Sequence, residues 1–248
     1  HHGDLIMPEG FVNRAIQGTM FALYRFMAKR APKVVAYSED DADHSYYIAP
    51  VRDKMQVIYP PIQLPEPDRT RAAELHAEWS HEGGPVIGFG GRFVQEKRPD
   101  LLIRALQVIN RKYPNARIVF AGEYDIPYEN TWELYQPVVQ QYKEQLIFLG
   151  KVEDMQTMAN FYAALDVLAL TSDSECFALV QVEARLAGTP VVMTDIPGGR
   201  VPVTVTGMGR LAEAGNPDSI GEAIVTVLDD HDSYVKSYEE ISTTFSFK

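Results

Sequence analysis

The feature that most constrains the fold of this chain is a regular alternation of short apolar runs with helix-like patterns over residues 34–228. Each apolar run has the length of a buried strand, and an amphipathic stretch long enough to form a helix follows most of them. Consecutive parallel strands need such a helix to return the chain to the same edge of the sheet. The alternation therefore predicts an α/β protein with a doubly wound, Rossmann-like parallel sheet.

The runs and patterns also give the boundaries of the predicted elements. We predict strands at 34–37, 86–89, 117–121, 146–149, 167–170 and 191–194. We predict helices at 11–31, 40–48, 99–111, 131–143, 154–163, 178–187 and 218–228.

A proline-rich stretch divides this pattern into two parts. Residues 59–67 contain four prolines, which favour a stiff, extended connection. Residues 1–58 hold two helical patterns and one or two strand runs, too few for a doubly wound domain. We therefore expect 1–58 to be the end of an incomplete N-terminal domain, 59–67 to be a linker, and 68–248 to be a complete ligand-binding domain.

Charge and cysteine content exclude several classes of function. With 23 basic and 34 acidic side chains, the chain has a net charge of −11 and repels a phosphate backbone, so we expect no nucleic-acid partner. A single cysteine, Cys176, excludes an internal disulfide and a zinc site built from several thiolates, which favours the reducing cytoplasm. No apolar run approaches the roughly 20 residues of a membrane span.

Polar residues and glycines follow three of the predicted strands. Ligands of doubly wound sheets bind outside the carboxyl ends of the strands, so we expect these residues to converge on one crevice. Arginine and lysine suit a phosphate-bearing ligand, and glycines let backbone N–H groups approach an anion. The residues are Gly91, Arg92 and Lys97 after the run at 86–89, Glu175, Phe177 and Glu183 after the run at 167–170, and Gly198, Gly199 and Arg200 after the run at 191–194.

Three segments of the chain resemble motifs of the family-four (group 1) retaining glycosyltransferases of the GT-B fold. Residues 91–97, Gly-Arg-Phe-Val-Gln-Glu-Lys, resemble the G-R-x-x-x-x-K segment of that family. Glu175 and Glu183 have the spacing of its E-x7-E motif, and residues 187–192 continue as Ala-Gly-Thr-Pro-Val-Val, as in those enzymes. The resemblance runs in order from about residue 34 to 228 and identifies mainly the C-terminal, donor-binding domain.

The resemblance implies a metal-independent transfer of a sugar from a nucleotide-diphosphate sugar, such as a UDP or GDP sugar, to a glycan, lipid or small-molecule acceptor. Arg92 and Lys97 would neutralise the departing diphosphate, because preorganised cations stabilise charge that develops in the transition state. Glu175 would contact hydroxyls of the transferred sugar, and Glu183 would bind the ribose. The remaining implied donor contacts are backbone groups of Phe177, Ala178 and Leu179 at the sugar-phosphate, Lys151 and Val152 at the base, and Gly91, Gly198, Gly199 and Arg200.

Three positions depart from the family pattern. Ala178 stands where the family usually has glycine, and Cys176 stands where it often has proline. Arg200 follows the paired glycines in a turn that lacks the usual glutamate, and it adds positive charge there. Near the N-terminus, His2 precedes the first helix at the distance of a family histidine that reaches the donor sugar, unless it belongs to a purification tag.

Other interpretations of these residues stay open. Residues 41–43, Asp-Ala-Asp, mimic a metal-binding D-x-D motif, but they follow Ser38 at a helix start, where acidic side chains complement the helix dipole. We therefore infer capping and no metal. A non-catalytic nucleotide-sugar binding module is the alternative outside enzymes, and a GT-B-fold epimerase or phosphorylase is the alternative among enzymes.

Residues 11–33 stand out by their charge. They include Arg14, Arg25, Lys29, Arg30 and Lys33 and no acidic residue, with apolar residues at helical spacing. A basic amphipathic helix can lie on an anionic membrane, here the inner face of a cell membrane. The interpretation that we favour is the closing helix of the first domain, with its apolar face on a sheet.

Overall fold

The computed structural model describes residues 10–60, 62–126 and 130–245. In this part of the chain, two short strands near the beginning pair in parallel with each other, and six later strands form the main sheet. The first pair is β1 (Val34–Ala36) and β2 (Met55–Val57). The main sheet consists of β3 (Val86–Gly90), β4 (Arg117–Ala121), β5 (Leu146–Gly150), β6 (Val167–Leu170), β7 (Val191–Thr194) and β8 (Gly209–Ala212).

Helices connect these strands. They are α1 (Phe11–Arg30), α2 (Glu39–His44), α3 (Arg69–Trp79), α4 (Pro99–Ile109), α5 (Thr131–Gln141), α6 (Met155–Ala163), α7 (Leu179–Leu186), α8 (Val201–Thr206), α9 (Pro217–Asp229), α10 (His231–Tyr234) and α11 (Tyr238–Phe245). Helices α4, α5 and α9 pack on one face of the main sheet, and α3, α6 and α7 pack on the other. The core therefore has two layers, one on each face of the sheet.

The order of the strands determines where the ligand-binding crevice lies. Across the main sheet the order is β5-β4-β3-β6-β7-β8, and all neighbouring pairs are parallel. The chain builds outward from β3 to β5 and then returns to add β6 on the other side of β3. The carboxyl ends of β3 and β6 therefore flank a topological switch point, the position where doubly wound sheets bind ligands.

The predicted fold class is confirmed. All six predicted strands are present, and their ends differ from the prediction by one residue at most. Strands β2 and β8 and helices α3, α8, α10 and α11 were not predicted, because their patterns are short or largely polar. The second half of the helix predicted at 40–48 is wrong: α2 ends at His44, and a 3-10 turn follows at Ala49–Lys54. Ser45 leaves the helix with an extended backbone, φ −72° and ψ 134°, and its hydroxyl accepts the N–H of Ile48 at 3.4 Å instead of continuing the helix.

One apolar cluster joins the first part of the chain to the main sheet. The ring of Phe177 is fully buried, with its centroid 5.4 Å from that of Tyr59 and 5.8 Å from that of Phe245. Ile62 and Leu64 pack against the same cluster, so part of the proline-rich stretch is held against the protein. The division into 1–58, 59–67 and 68–248 stays a prediction, and the described portions of these segments are in contact.

Candidate functional site

Two loops meet at the switch point. Residues 91–98 follow β3 and residues 171–178 follow β6, and main-chain and hydroxyl hydrogen bonds tie the two loops together. The N–H of Asp173 donates to the carbonyl of Glu96 at 2.9 Å. The hydroxyl of Thr171 lies 3.0 Å from the carbonyl of Lys97 and 2.7 Å from that of Arg98. The loops therefore form one fixed floor, as a preorganised site requires.

Lys97 and Glu175 face each other across this floor. The Nζ atom of Lys97 lies 2.6 Å from Oε1 of Glu175, and the side chains are 25% and 12% exposed. The hydroxyl of Ser172 donates to the same carboxylate oxygen at 2.8 Å. A cation and a carboxylate that are both largely buried interact more strongly than a solvent-exposed pair. Arg92 lies exposed on the same loop as Lys97.

Helix α7 begins at Leu179, four residues after Glu175, and carries the second glutamate. Ala178 precedes the helix with φ 53° and ψ 74°, a left-handed conformation that glycine adopts without strain. The position at which the family usually has glycine therefore keeps the glycine backbone shape in this chain. Leu179, the first residue of the helix, exposes its side chain, whereas Phe177 buries its ring in the cluster with Tyr59.

Glu183 lies about one turn into α7, and a side chain of the neighbouring helix α6 holds it in place. The Tyr162 hydroxyl on α6 donates to Oε2 of Glu183 at 2.7 Å. Burial, and to a smaller extent the charge of Glu183, raise the pKa of Tyr162 well above its ordinary value, so the phenol stays a hydrogen-bond donor. The Glu183 carboxylate is half-buried and has one oxygen fixed by this bond.

The paired glycines after β7 approach the first glutamate closely. Gly198 has φ 73°, and a Cβ atom there would lie 2.6 Å from the carbonyl oxygen of Glu175 and 2.5 Å from that of Cys176. Only glycine fits this contact without a backbone shift. The N–H of Gly198 donates to Oδ2 of Asp40 at 2.8 Å. That N–H is therefore paired within the protein.

The guanidinium group of Arg200 forms ion pairs with two carboxylates. Its Nη2 and Nε atoms lie 2.6 and 2.9 Å from the two oxygens of Asp40, and Nη1 lies 3.1 Å from Asp195. The added positive charge that the sequence suggests is therefore neutralised by two acidic side chains. Arg200 joins α2 to the turn after β7, and nothing in this geometry directs its charge at the crevice.

The segment expected to contact the nucleotide base follows the carboxyl end of β5, next to the end of β4. The N–H of Gly122 donates to the carbonyl of Gly150 at 2.8 Å, which aligns the loops after these strands. Lys151 and Val152 follow Gly150 directly. The Lys151 side chain is exposed and pairs with Glu153 at 2.6 Å, so its ammonium group points to a local partner. Its main-chain atoms lie on the same edge of the sheet as Lys97.

Cys176 borders a small cavity beside Glu175. The cavity has a volume of about 190 Å³ and is also lined by Asp41, His44 and Pro197. Burial, reinforced by the charges of Asp41 and Glu175, raises the pKa of the Cys176 thiol. Although Cys176 lies shortly before the start of α7, burial and two nearby carboxylates keep its thiol protonated near neutral pH.

The remaining sequence expectations have separate outcomes. His2 lies outside the described residues. Ser38 caps α2 as predicted, since its hydroxyl accepts the N–H of Asp41 at 3.0 Å. Within residues 10–60, 62–126 and 130–245, no group of three or more His, Cys, Asp or Glu side chains is arranged to hold a metal ion.

No helix in the same ranges is long and apolar enough to span a membrane.

Sequence reasoning missed three residues that shape the site. Tyr162 lies in an apolar helical run, where it is indistinguishable from a core residue. Ser172 and Asp40 are ordinary polar residues after a strand and at a helix start. Tyr162 and Asp40 contact residues 21 and 160 positions away, and no local pattern encodes such a contact. Ser172 contacts Glu175 three residues on, and a serine at that distance carries no specific signal. The spacing of Glu183 from Glu175 is the only signal that pointed to this region of the helix layer.

Comparison with known proteins identifies the family. Residues 72–243 match the family model described as glycosyl transferases group 1. A D-inositol 3-phosphate glycosyltransferase of Corynebacterium glutamicum is 28% identical over 225 residues, which are 84% of this chain and 51% of that protein. The chain spans about half the length of the curated relatives it matches.

Solved structures share the fold. The crystal structure of Anabaena Alr3699/HepE in complex with UDP-glucose matches 92% of this chain and 62% of its own, with a TM-score of 0.74 and 22% identity. The C-terminal domain of a glycosyl transferase group 1 family protein (LpcC) from Francisella tularensis matches 74% of this chain and 93% of its own, with a TM-score of 0.59 and 23% identity. Because the family model matches most of its length and the sheet matches GT-B structures, this chain belongs to the glycosyl transferases group 1 family.

Proposed function

We propose that this chain is the nucleotide-sugar-binding part of a retaining, metal-independent glycosyltransferase. The observation that carries the proposal is the convergence of Lys97, Glu175 and Glu183 at the switch point between β3 and β6. One cation and two carboxylates at this edge suit a ligand that has a diphosphate at its centre and hydroxyl groups on both sides. A nucleotide-diphosphate sugar has this arrangement.

The roles of the side chains follow from the charges in the reaction. Breaking the bond between the sugar and the diphosphate leaves negative charge on the phosphate and cationic, oxocarbenium-like character on the sugar ring. Arg92 and Lys97 lie on the loop after β3, where they can neutralise the leaving phosphate. Removing one such preorganised group typically costs about 3–4 kcal/mol of activation energy. Glu175 carries the charge that complements the sugar ring.

The donor is proposed to carry UDP or GDP. Similar structures have been solved with UDP or UDP-glucose, and one relative from Corynebacterium glutamicum is a GDP-mannose-dependent mannosyltransferase. We propose that main-chain groups of Lys151 and Val152 contact the base and that the start of α7 lies against the sugar-phosphate. The acceptor is a glycan, a lipid or a small molecule that bears a nucleophilic hydroxyl group.

A binding experiment tests the donor proposal on this chain alone. Isothermal titration with UDP and with GDP, in buffer containing EDTA, is expected to show binding of at least one diphosphate. Arg92→Ala and Lys97→Ala are expected to weaken diphosphate binding much more than binding of the corresponding nucleoside, because only the diphosphate needs cations. Lys112→Ala is the matched control, since Lys112 pairs with Asp229 at the opposite edge of the sheet. Binding that EDTA abolishes and manganese restores would contradict metal independence.

Turnover separates the enzyme from its alternatives, and it needs a polypeptide as long as the relatives. A glycosyltransferase releases nucleoside diphosphate when donor and acceptor are present, whereas a binding module only binds donor. Glu183→Gln is expected mainly to raise KM, because the ribose contact exists before and during the reaction. Glu175→Gln is expected mainly to lower kcat, because its charge matters more in the transition state. Retention at the anomeric carbon is read from the product by NMR.

The outward face of α1 supports a separate proposal, a peripheral contact with an anionic membrane. Val12, Ile16, Leu23, Phe26 and Met27 are exposed on this helix, and its charged residues are all basic. The competing interpretation is that the rest of a longer polypeptide covers this face. Sedimentation with phosphatidylglycerol vesicles and with phosphatidylcholine vesicles decides between them. Binding of the longer protein to the anionic vesicles alone supports the membrane contact, and no binding to either contradicts it.

A further inference from the structure

The contact between Tyr162 and Glu183 is the strongest feature that the resemblance does not assign. Tyr162 is fully buried, and its hydroxyl lies 2.7 Å from Oε2 of Glu183. Glu183 is half-buried on α7, and Tyr162 lies on α6, so the bond joins two helices that are separate in the chain. A buried phenol that finds a carboxylate partner satisfies its own hydroxyl and fixes the carboxylate at the same time.

The surroundings of Tyr162 leave its ring little freedom. A Cβ atom on Gly90, the last residue of β3, would lie 3.7 Å from the Tyr162 ring and 2.8 Å from Val180. The Tyr162 carbonyl accepts the Thr189 hydroxyl at 2.6 Å, which also anchors its backbone to the turn after α7. The phenol is therefore held between the end of β3 and the first turn of α7, at the floor of the crevice.

A carboxylate held in one orientation can distinguish ligands that carry hydroxyl groups from ligands that lack them better than a mobile carboxylate can. A free glutamate side chain loses rotamer freedom when it binds a ligand, and this loss opposes binding. The Tyr162 bond removes that freedom before the ligand arrives. It occupies Oε2 as an acceptor and leaves Oε1 for a further donor. Vicinal hydroxyl groups of a ribose are donors that match a preoriented carboxylate.

We propose that Tyr162 is a positioning residue that aligns Glu183 for the ribose hydroxyls of the donor nucleotide. The inference rests on the proposed function, since it takes Glu183 as the ribose contact. Tyr162 itself does not touch the ligand in this scheme. It determines how strongly the site prefers a ribonucleotide to an analogue that lacks the 2′ and 3′ hydroxyl groups.

Ribonucleotides, their dideoxy analogues and three variants test this role. Dissociation constants for UDP and for 2′,3′-dideoxy-UDP are measured by titration on the wild-type chain, Tyr162→Phe, Glu183→Gln and the double variant, with GDP and its dideoxy analogue in parallel. Tyr162→Phe is expected to weaken ribonucleotide binding about three- to tenfold, the range of one hydrogen bond. It is expected to leave the dideoxy constant nearly unchanged. The double variant is expected to resemble Glu183→Gln alone, because both changes remove the same interaction.

The control separates positioning from general stability. Tyr113→Phe deletes another phenol–carboxylate bond, 2.7 Å long to Asp229, at the opposite edge of the sheet. It is expected to lower the melting temperature without changing the ratio of the two dissociation constants. That ratio is the informative quantity, because a merely structural Tyr162 would weaken both ligands equally.

The outcomes distinguish the two proposals. If the wild-type chain binds neither ribonucleotide, the proposed function fails. If it binds one, and Glu183→Gln loses the preference while Tyr162→Phe keeps it, the positioning role is wrong. Should Tyr162→Phe fail to fold, Tyr162→Met replaces it, because the flexible, apolar methionine side chain fills irregular space, lacks the hydroxyl and leaves Glu183 unchanged. A retained preference in Tyr162→Met overturns the inference, and a lost preference supports it.

Discussion

The ammonium group of Lys97 and the carboxylate of Glu175 lie 2.6 Å apart, so the two groups proposed to act on opposite parts of the donor are bound to each other before the donor arrives. A diphosphate that approaches Lys97 must compete with this carboxylate. The pair keeps both side chains in fixed positions, which favours preorganisation. It also lowers the net positive charge that an incoming phosphate meets.

Glu175→Gln is therefore expected to tighten UDP binding about two- to fivefold, which corresponds to the loss of a partly exposed ion pair. Glutamine keeps the size of the side chain and its hydrogen bond from Ser172, and it releases Lys97 for the phosphate. Titration calorimetry measures the effect, with Lys97→Ala expected to change affinity in the opposite direction. Glu74→Gln, which breaks an exposed pair with Arg71 on α3, is the control. Weaker UDP binding in Glu175→Gln would show that the carboxylate helps to hold the diphosphate site open.

Ala178→Gly is expected to stabilise the protein by about 0.5–1 kcal/mol. The left-handed conformation of Ala178 costs a non-glycine residue about 1–2 kcal/mol, and the greater freedom of glycine in the unfolded chain offsets part of that gain. Urea unfolding measures the change. Ala187→Gly is the control, because Ala187 has right-handed helical angles and glycine there should destabilise. A loss of stability in Ala178→Gly would mean that the methyl group contributes packing that outweighs the backbone strain.

Arg185→Met is expected to raise stability by about 1–3 kcal/mol near neutral pH. Arg185 is fully buried on α7, and its Nη1 bonds to Gln181, whereas Nε and Nη2 have no hydrogen-bond partner within the described residues. Removing a buried charge with incomplete partners in favour of an apolar side chain is often stabilising. Thermal unfolding at pH 7 tests this expectation. Arg69→Met, at an exposed arginine, is the control and should give no gain.

The same position should show a pH dependence of known sign. Burial lowers the pKa of Arg185 to about 9, below its value in the unfolded chain. The folded state is therefore penalised at every pH below about 9, where the buried side chain must stay protonated. The penalty is relieved as the pH rises above 9, so the advantage of Arg185→Met should shrink between pH 8 and about 10.5. A constant advantage over this range would contradict the assignment.

Asp40→Asn is expected to loosen the contact between α2 and the turn after β7 and to cost about 1.5–3 kcal/mol, the range for hydrogen bonds to a charged group. Burial favours the neutral form of Asp40, but hydrogen bonds from Arg200 and Gly198 outweigh it and lower its pKa. A lowered pKa gives stabilisation that is present above the unfolded value of about 3.9 and is lost as the pH falls further. Wild-type protein and Asp40→Asn should therefore converge in acid.

Hydrogen exchange of the Gly198 amide measures this contact directly, because that N–H donates to Asp40. Asp43→Asn is the control, since Asp43 makes an exposed pair with Arg52 on the same segment. Equal exchange of Gly198 in wild type and Asp40→Asn would show that the turn is held by its other contacts, such as the approach to Glu175.

The sequence was sufficient for the main sheet because each buried strand has to be apolar along its whole length. The runs at 117–121, 167–170 and 191–194 coincide with β4, β6 and β7, which are buried between two helix layers. Strand β8 was not predicted because it lies at the edge of the sheet, where Gly209 and Arg210 remain partly exposed. Helix α3 was not predicted because only Ala72 and Trp79 of its residues are buried.

The sequence by itself determined which residue types stand after which strands, and therefore the motif spacing of Arg92, Lys97, Glu175 and Glu183. Only the tertiary structure decided their partners. Pattern could not show that Lys97 meets Glu175, that Asp40 neutralises Arg200, or that Tyr162 holds Glu183. Strand and helix patterns arise from burial that repeats along the chain, whereas a side-chain pair depends on how distant segments pack, and a single hydrogen bond leaves no period in the sequence.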